Sequence, residues 1–199
     1  MIVYGASGHG KVIIEILESI DTPRIEVWDD APKPPMWEYA VLPPFSTGNN
    51  DDVVISIGVN ATRKRVAERL APQVQFGTAI HNTALLSKRA TIGAGTVIMA
   101  GVTINADTKV GQHCIINTSA SIDHDCVIGD YAHVSPNATL SGDVHIGEGT
   151  HFGAGASAIQ GVRIGKWCTI GAGAVVIRDI PDYCTAVGVP AKIIKTREP

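Results

Sequence analysis

The sequence predicts two unlike domains, a small α/β domain followed by an all-β parallel β-helix. Three observations predict this arrangement. A six-residue repeat of apolar residues runs from residue 80 to 176, a glycine-rich turn follows the first short apolar segment, and the 199 residues include 21 glycines but only 5% aromatic residues. Few large rings and many glycines suit tight, repeated turns better than a core built from bulky side chains.

The six-residue repeat is the strongest signal. In steps of six from Ile80, all seventeen positions up to Val176 are apolar, and the position two residues before each is mostly small. This period matches neither an α-helix nor a simple strand. It fits a parallel β-helix whose coil has three short faces, about 18 residues in all. We therefore predict an α/β domain over residues 1–76 and a β-helix over 77–199, with a C-terminal cap from about residue 180.

The repeat also predicts the position and the role of three cysteines. Cys114, Cys126 and Cys168 fall on the small inward position, which predicts space-filling thiols rather than nucleophiles. No CxxC pair is present, which argues against a zinc or redox motif. No residue is inserted between 80 and 176, so the β-helix has no protruding loop that could hold a substrate. We expect the N-terminal segment to perform that task.

The N-terminal segment has the pattern of one Rossmann-like βαβαβ half. We predict strands at 2–4, 25–28 and 53–57, helices at 11–19 and around 63–70, and a proline-rich loop at 32–44. The glycine turn at 5–10 brings Gly8 and Gly10 to a helix N-terminus, which favours a phosphate. Asp29, about 20 residues beyond, suits a ribose hydroxyl. The G-x-x-G-x-G spacing and the short domain favour a mononucleotide or nucleotide-sugar over NAD, although glycines alone can also just form a tight turn.

Among the seven histidines, His124 is the best candidate for a general base. It lies two residues past an inward aliphatic, so it should point outward, and Asp123 and Asp125 flank it. A carboxylate that accepts a ring N–H fixes the tautomer and raises the basicity of the ring. A solvated surface histidine would show the same spacing. His133 and His151 are 18 residues apart and should stack; ligand-contact or surface histidines are favoured over a metal pair.

Charge and hydropathy exclude several classes. The net charge of −3 and the absence of a basic run argue against nucleic acid. The sequence has no apolar run of about 18 residues, so it predicts no membrane span. The N-terminus also lacks a leader pattern. These features predict a cytoplasmic protein, and the lack of a CxxC pair predicts that it has no resident metal.

Four segments together resemble the NeuD/PglD family of sugar O- and N-acyltransferases, and most closely its PglD-type members, which acetylate nucleotide-linked 4-amino sugars. They are YGASGHGKV, INTSASIDHDCVIGDYAHVSPNATLSGDV, IGEGTHFGAGA and VGVPAKII. The resemblance implies a left-handed β-helix, a homotrimer with active sites between subunits, acetyl-CoA as co-substrate, and a UDP- or TDP-linked 4-amino-4,6-dideoxy sugar as acceptor.

The resemblance also implies residue roles. His124 matches the family's base, and Asp125 matches the residue that increases its basicity, which is Glu in some relatives. The matching acetyl-CoA contacts are His133, Gly142, Ala154 and Ala172. The matching nucleotide-sugar contacts are Gly8, His9, Gly10, Asp29, Asp30, Gly58 and Asn117.

Three alternatives remain open on the sequence. The first is O-acetylation of a sialic acid or another sugar hydroxyl by the same fold. The second is a non-catalytic β-helix that binds sugar nucleotides. The third is a carbonic-anhydrase-like zinc site, which His113, His133 and His151 suggest but the IDHD and GVPAK segments disfavour.

Overall fold

The computed structural model describes residues 1–48 and 50–198. Asn49 in the predicted first domain and Pro199 in the predicted cap lie outside the described residues. The N-terminal domain is a four-stranded parallel sheet with the order β3-β2-β1-β4. Its strands are β1 (Ile2–Tyr4), β2 (Glu26–Trp28), β3 (Val41–Leu42) and β4 (Val53–Ile55). Its helices are α1 (Gly8–Ser19) and α2 (Asn60–Leu70).

The two helices cover opposite faces of the sheet. Alternate strand residues point to opposite faces, so Val3, Val27 and Val54 pack against α1. Ile2 and its neighbours on the other face pack against Ala67 and Leu70 of α2. The predicted βαβαβ arrangement is confirmed.

Two local predictions in this domain were wrong. Helix α1 begins at Gly8 rather than at residue 11, because Ser7 caps it by accepting a hydrogen bond from the N–H of Gly10. The loop predicted over residues 32–44 contains strand β3, which extends the sheet by pairing with β2. A two-residue strand among prolines is too short to show a period.

The C-terminal domain is a parallel β-helix with three faces. Its first face has β5 (Ala79–Ile80), β8 (Val97–Ile98), β11 (Ile115–Ile116), β14 (His133–Val134), β17 (His151–Phe152) and β20 (Thr169–Ile170). The second has β6 (Leu85–Leu86), β9 (Thr103–Ile104), β12 (Ser121–Ile122), β15 (Thr139–Leu140), β18 (Ser157–Ala158) and β21 (Val175–Val176). The third has β7 (Thr91–Ile92), β10 (Lys109–Val110), β13 (Val127–Ile128), β16 (His145–Ile146) and β19 (Arg163–Ile164).

The predicted repeat matches this β-helix residue by residue. Each of the seventeen apolar positions is the second residue of a two-residue strand. The positions from Ile98 onward are buried, while Ile80, Leu86 and Ile92 are partly exposed because they lie in the first coil, at the open end. Cys114, Cys126 and Cys168 are buried as predicted, and burial raises the pKa of the Cys114 thiol to about 12.

The corners of the coil have their own six-residue period. Every sixth residue from Gly95 to Gly173 has a positive φ. Glycine, Asp and Asn adopt this left-handed conformation most readily, and Asp125 occupies one such corner with φ 59°.

A cap closes the C-terminal end, where β22 (Cys184–Val187) pairs with β20 and forms an antiparallel hairpin with β23 (Lys192–Thr196).

Candidate active site

His124 lies at the corner between the second and third faces, just after β12. Its side chain is exposed, as predicted. The Nδ1 atom lies 2.7 Å from Oδ2 of Asp125. An ionised carboxylate only accepts hydrogen bonds, so Nδ1 carries the proton and Nε2 has a free lone pair. This hydrogen bond is the first cause that raises the pKa of His124, and Asp123 adds to it.

The backbone around His124 is held by its neighbours. Oδ1 of Asp123 accepts hydrogen bonds from the His124 N–H at 2.8 Å and from Nδ2 of Asn105 at 2.9 Å. The carbonyl of Asp123 accepts from the Thr108 hydroxyl at 2.7 Å. The two carboxylates therefore have different roles: Asp123 orients the backbone, and Asp125 orients the imidazole ring.

Gly142 lies one coil beyond His124, directly against its ring. A Cβ built at Gly142 would stand 2.7 Å from both Cε1 and Nε2 of His124. Only a residue without a side chain leaves the ring in this position. Sequence reasoning placed Gly142 among the acetyl-CoA contacts; the structure also gives it a steric role beside the candidate base.

His133 and His151 lie on the first face, and their strands pair in register. The ring centroids are 4.7 Å apart. Burial, above all, lowers the pKa of His133 to about 3 and also lowers the pKa of His151. Both rings are therefore neutral near pH 7. Nδ2 of Asn117 lies 3.1 Å from Nε2 of His133.

Ala154 and Ala172 are exposed in successive coils, at the corner between the first and second faces. Within residues 1–48 and 50–198, the backbone N–H of neither alanine donates a hydrogen bond. Two free N–H groups in one column can bind the amide carbonyls of an extended ligand. This geometry suits the predicted contact of both alanines with acetyl-CoA.

The N-terminal domain has a cavity of about 340 Å³ at the carboxyl ends of β1, β2 and β4. Its lining includes Gly5, Ser7, Asp29, Asp30, Lys33 and Gly58. Ligands of open parallel sheets bind at this edge. Of the predicted nucleotide-sugar residues, Asp29, Asp30 and Gly58 line this cavity, and Gly8, His9 and Gly10 lie next to it in the first turn of α1.

Gly8 and Gly10 differ in their surroundings. A Cβ at Gly8 would meet nothing within 4 Å, whereas one at Gly10 would stand 2.7 Å from the carbonyl oxygen of Gly5. Gly8 is therefore open to a ligand, while Gly10 allows the helix to pack tightly on the turn. His9, between them, is mostly buried, and burial lowers its pKa to about 4.

Asp29 and Asp30 are held by different groups. The carboxylate of Asp29 accepts hydrogen bonds from the N–H of Ala6 at 2.8 Å and of Ala31 at 2.9 Å, so it shapes the glycine turn. Asp30 accepts from the Tyr4 hydroxyl at 2.5 Å and pairs with Arg69 at 2.8 Å. Arg69 and Tyr4, which the sequence did not single out, thus complete the wall beside Asp30.

Arg63 joins this cavity to the β-helix, and sequence reasoning missed this role. The side chain is 1% exposed. It donates to the carbonyls of Ile57 and Gly58 at the cavity, to those of His113 and Tyr131 on two coils, and to Oδ1 of Asn60. All five of its N–H donors are used. A buried arginine without a carboxylate partner has no signature in the sequence.

The predicted site residues form two groups within one chain. Gly58 lines the cavity, whereas Asn117 and His133 contact each other on the first face, where His133 also interacts electrostatically with His9. His124, Asp125 and Gly142 lie at the corner between the second and third faces, opposite the first face. A single chain therefore does not bring the candidate base to the cavity.

Across residues 1–48 and 50–198, no group of three or more His, Cys, Asp or Glu side chains could hold a metal ion. Within the same residues, no helix is both long and apolar enough to cross a membrane.

Comparisons with known proteins agree with this architecture. Residues 1–70 match the model of the PglD N-terminal domain, and residues 107–142 and 143–178 match the six-repeat model of the bacterial transferase hexapeptide. A 108-residue alignment is 44% identical to UDP-N-acetylbacillosamine N-acetyltransferase of Bacillus subtilis (strain 168). That alignment covers 49% of this chain and 50% of the relative, so the match spans about half the length of this curated protein.

Two solved structures match nearly the whole chain. PerB from Caulobacter crescentus, in complex with CoA and GDP-perosamine, is 36% identical with a TM-score of 0.92, over 98% of this chain and 96% of that one. The acetyltransferase domain of PglB from Neisseria gonorrhoeae FA1090, in complex with acetyl coenzyme A, is 36% identical with a TM-score of 0.91, over 97% and 98%.

Fold and site together define a hexapeptide-repeat acyltransferase that carries an N-terminal α/β domain. The chain belongs to the PglD family of sugar acyltransferases, as its resemblance implied.

Proposed function

We propose that this protein transfers the acetyl group of acetyl-CoA to the amino group of a nucleotide-linked 4-amino-4,6-dideoxy sugar. The observation that carries the proposal is the tautomer of His124 and the exposure of its side chain. Asp125 holds the proton on Nδ1, and Nε2 is left free on an exposed corner. A base with a fixed tautomer and a raised pKa suits proton removal from an attacking amine.

The reaction is a direct transfer. The neutral amine attacks the thioester carbon, the new C–N bond forms, and Nε2 of His124 accepts the proton that the amine loses. The C–S bond then breaks, and coenzyme A leaves as a thiol after taking up a proton. Backbone N–H groups stabilise the oxyanion. The buried cysteines are not nucleophiles, since burial raises the pKa of Cys114 to about 12 and that of Cys126 to about 11.

The substrates bind on different surfaces. The nucleotide-sugar occupies the N-terminal cavity, with Gly8, His9 and Gly10 at the helix N-terminus and Asp29, Asp30 and Gly58 along the walls. Acetyl-CoA runs along the β-helix past Gly142, His133, Ala154 and Ala172. GDP-perosamine and CoA in PerB and acetyl coenzyme A in PglB are ligands of these two chemical kinds.

The active unit contains more than one copy of the chain. Within one chain His124 lies at the corner opposite the first face, away from the cavity, Asn117 and His133. A second copy that lays its His124 corner beside the first face completes the site. A closed ring of three copies makes three such sites, so we propose that the protein is a homotrimer. We also propose that it acts in the cytoplasm.

The test is a thiol-release assay with acetyl-CoA and a panel of acceptors. Each UDP-, TDP- or GDP-linked 4-amino sugar is paired with the corresponding 4-hydroxy sugar. The proposal expects turnover with at least one amine and little with its hydroxyl partner. Preference for the hydroxyl would establish O-acetylation instead. No thiol release with any acceptor, from protein that binds a sugar nucleotide, would indicate a non-catalytic binding protein.

A further inference from the structure

The amide of Asn117 has a defined orientation. The backbone N–H of Thr118 donates to Oδ1 of Asn117 at 2.8 Å. Oδ1 is therefore the acceptor end of the amide, and the atom that lies 3.1 Å from Nε2 of His133 is the NH₂ group. An amide NH₂ only donates hydrogen bonds. The chain itself thus settles which end of the amide meets the imidazole.

This contact determines the tautomer of His133. Nε2 must accept the hydrogen bond from Asn117, so it carries no proton. A neutral imidazole then carries its single proton on Nδ1. The ring is neutral at physiological pH, since burial lowers the pKa of His133 to about 3. His133 is therefore the Nδ1–H form, the same tautomer as His124 but set by a neutral amide rather than by a carboxylate.

The Nδ1 atom of His133 is a donor without an acceptor. It is buried, and among the described residues no group accepts a hydrogen bond from it. Nε2 of His9, at the glycine turn, is also buried and without a partner. Buried N–H donors are nearly always paired in folded proteins. An orphan donor on the first face, beside the glycine turn, indicates that an oxygen from outside the chain completes it.

We infer that Asn117 is a positioning residue that holds His133 as the Nδ1–H tautomer, so that His133 offers a fixed hydrogen-bond donor to an oxygen of the bound substrates. Its effect on catalysis rests on the proposed function; the tautomer does not. Asn117 thus acts through His133 rather than as the direct acceptor contact that the family resemblance implied. A ring with Nε2 occupied and Nδ1 protonated cannot serve as a second base.

The neighbouring coil provides a matched control. Ser135 and His151 lie 18 residues after Asn117 and His133, and the Ser135 hydroxyl is 3.0 Å from Nε2 of His151. A hydroxyl both donates and accepts, so it leaves the tautomer of His151 free. The two stacked pairs therefore share their geometry but differ in whether the tautomer is locked.

The direct test is long-range ¹H–¹⁵N NMR of the full-length, ¹⁵N-labelled protein without ligands. The His133 resonances are assigned by their loss in His133→Gln. The wild type should show an unprotonated Nε2 and a protonated Nδ1. Asn117→Asp keeps the acceptor for the Thr118 N–H but presents a carboxylate to the ring, so Nε2 should become protonated. Asn117→Ala, which removes the donor, should give a mixture of tautomers, and Ser135→Ala should leave His133 unchanged.

A kinetic arm measures the consequence. Asn117→Asp should lower kcat by about 10²-fold, as loss of one positioned donor does. The KM for the nucleotide-sugar should change little, because neither Asn117 nor His133 lines the cavity that holds that substrate. Ser135→Ala should retain kcat within about threefold.

The outcomes separate the two proposals. A wild-type His133 with a protonated Nε2, or Asn117 variants that both keep the wild-type pattern, would overturn the positioning role. If Asn117→Asp does not fold, the Asn117→Ala spectrum decides. The expected NMR pattern in a protein that acetylates no amino sugar would leave the tautomer established and refute the proposed function.

Discussion

Gly142→Ala should impair catalysis without destabilising the fold. The added Cβ would stand 2.7 Å from Cε1 and Nε2 of His124, about 0.7 Å inside the 3.4 Å at which ordinary contacts begin. The imidazole is the far end of an exposed side chain, so it can rotate away at little cost. A displacement of this size breaks its alignment with Asp125 and with the amine, and misplacement by about 1 Å can cost about 10²-fold in rate.

The assay is thiol release at saturating substrates, together with thermal unfolding. We expect kcat to fall between about 10- and 10²-fold, with the melting temperature within about 2 °C of wild type because rotation of the exposed His124 ring relieves the clash. Gln160→Ala, one coil further in the same column, should retain wild-type kcat. A Gly142→Ala protein with unchanged kcat would refute the placement of the base above this glycine.

Three further predictions concern charge and stability. Asp125→Asn should lower kcat by about tenfold or more and shift the acidic limb of the pH–rate profile to lower pH, because Asp125 raises the pKa of His124; an unshifted limb would contradict this. Arg63→Met should lower the free energy of unfolding by about 3 kcal/mol or more, since it leaves buried carbonyls unpaired; urea titration measures it, and a loss below about 1 kcal/mol would contradict the bridging role. Burial lowers the pKa of His9 and His113 to about 4, so below about pH 6.5 the unfolded chain binds protons that the folded chain does not. Stability should therefore fall from about pH 6.5 toward pH 4, by up to about 1.4 kcal/mol per pH unit for each histidine, and urea midpoints that stay constant from pH 7 to 5 would disagree.

The β-helix could be predicted because equivalent positions in successive coils require the same kind of residue. Every sixth residue must fill the interior, and from Ile98 to Val176 each of these positions is buried. Such a signal adds up along the chain. The outward direction of His124 followed from the same phase, and the structure confirms it.

The features that could not be predicted depend on contacts between distant segments. Strand β3 is defined by its pairing with β2 rather than by its own two residues. Arg63 lies on a helix whose pattern predicts apolar burial, yet its guanidinium is buried because carbonyls from the cavity and from two coils converge on it. The tautomer of His133 depends on the orientation of the Asn117 amide, which the spacing of residues in the sequence does not reveal.

The role of His124 as general base is tested most directly by the turnover of His124→Asn with acetyl-CoA and the best nucleotide-linked amino sugar, measured by thiol release alongside the binding of both substrates. We predict that kcat falls by about 10²-fold or more, as for a lost general base, while both substrates bind with near wild-type affinity. Turnover close to wild type in the folded variant would contradict it.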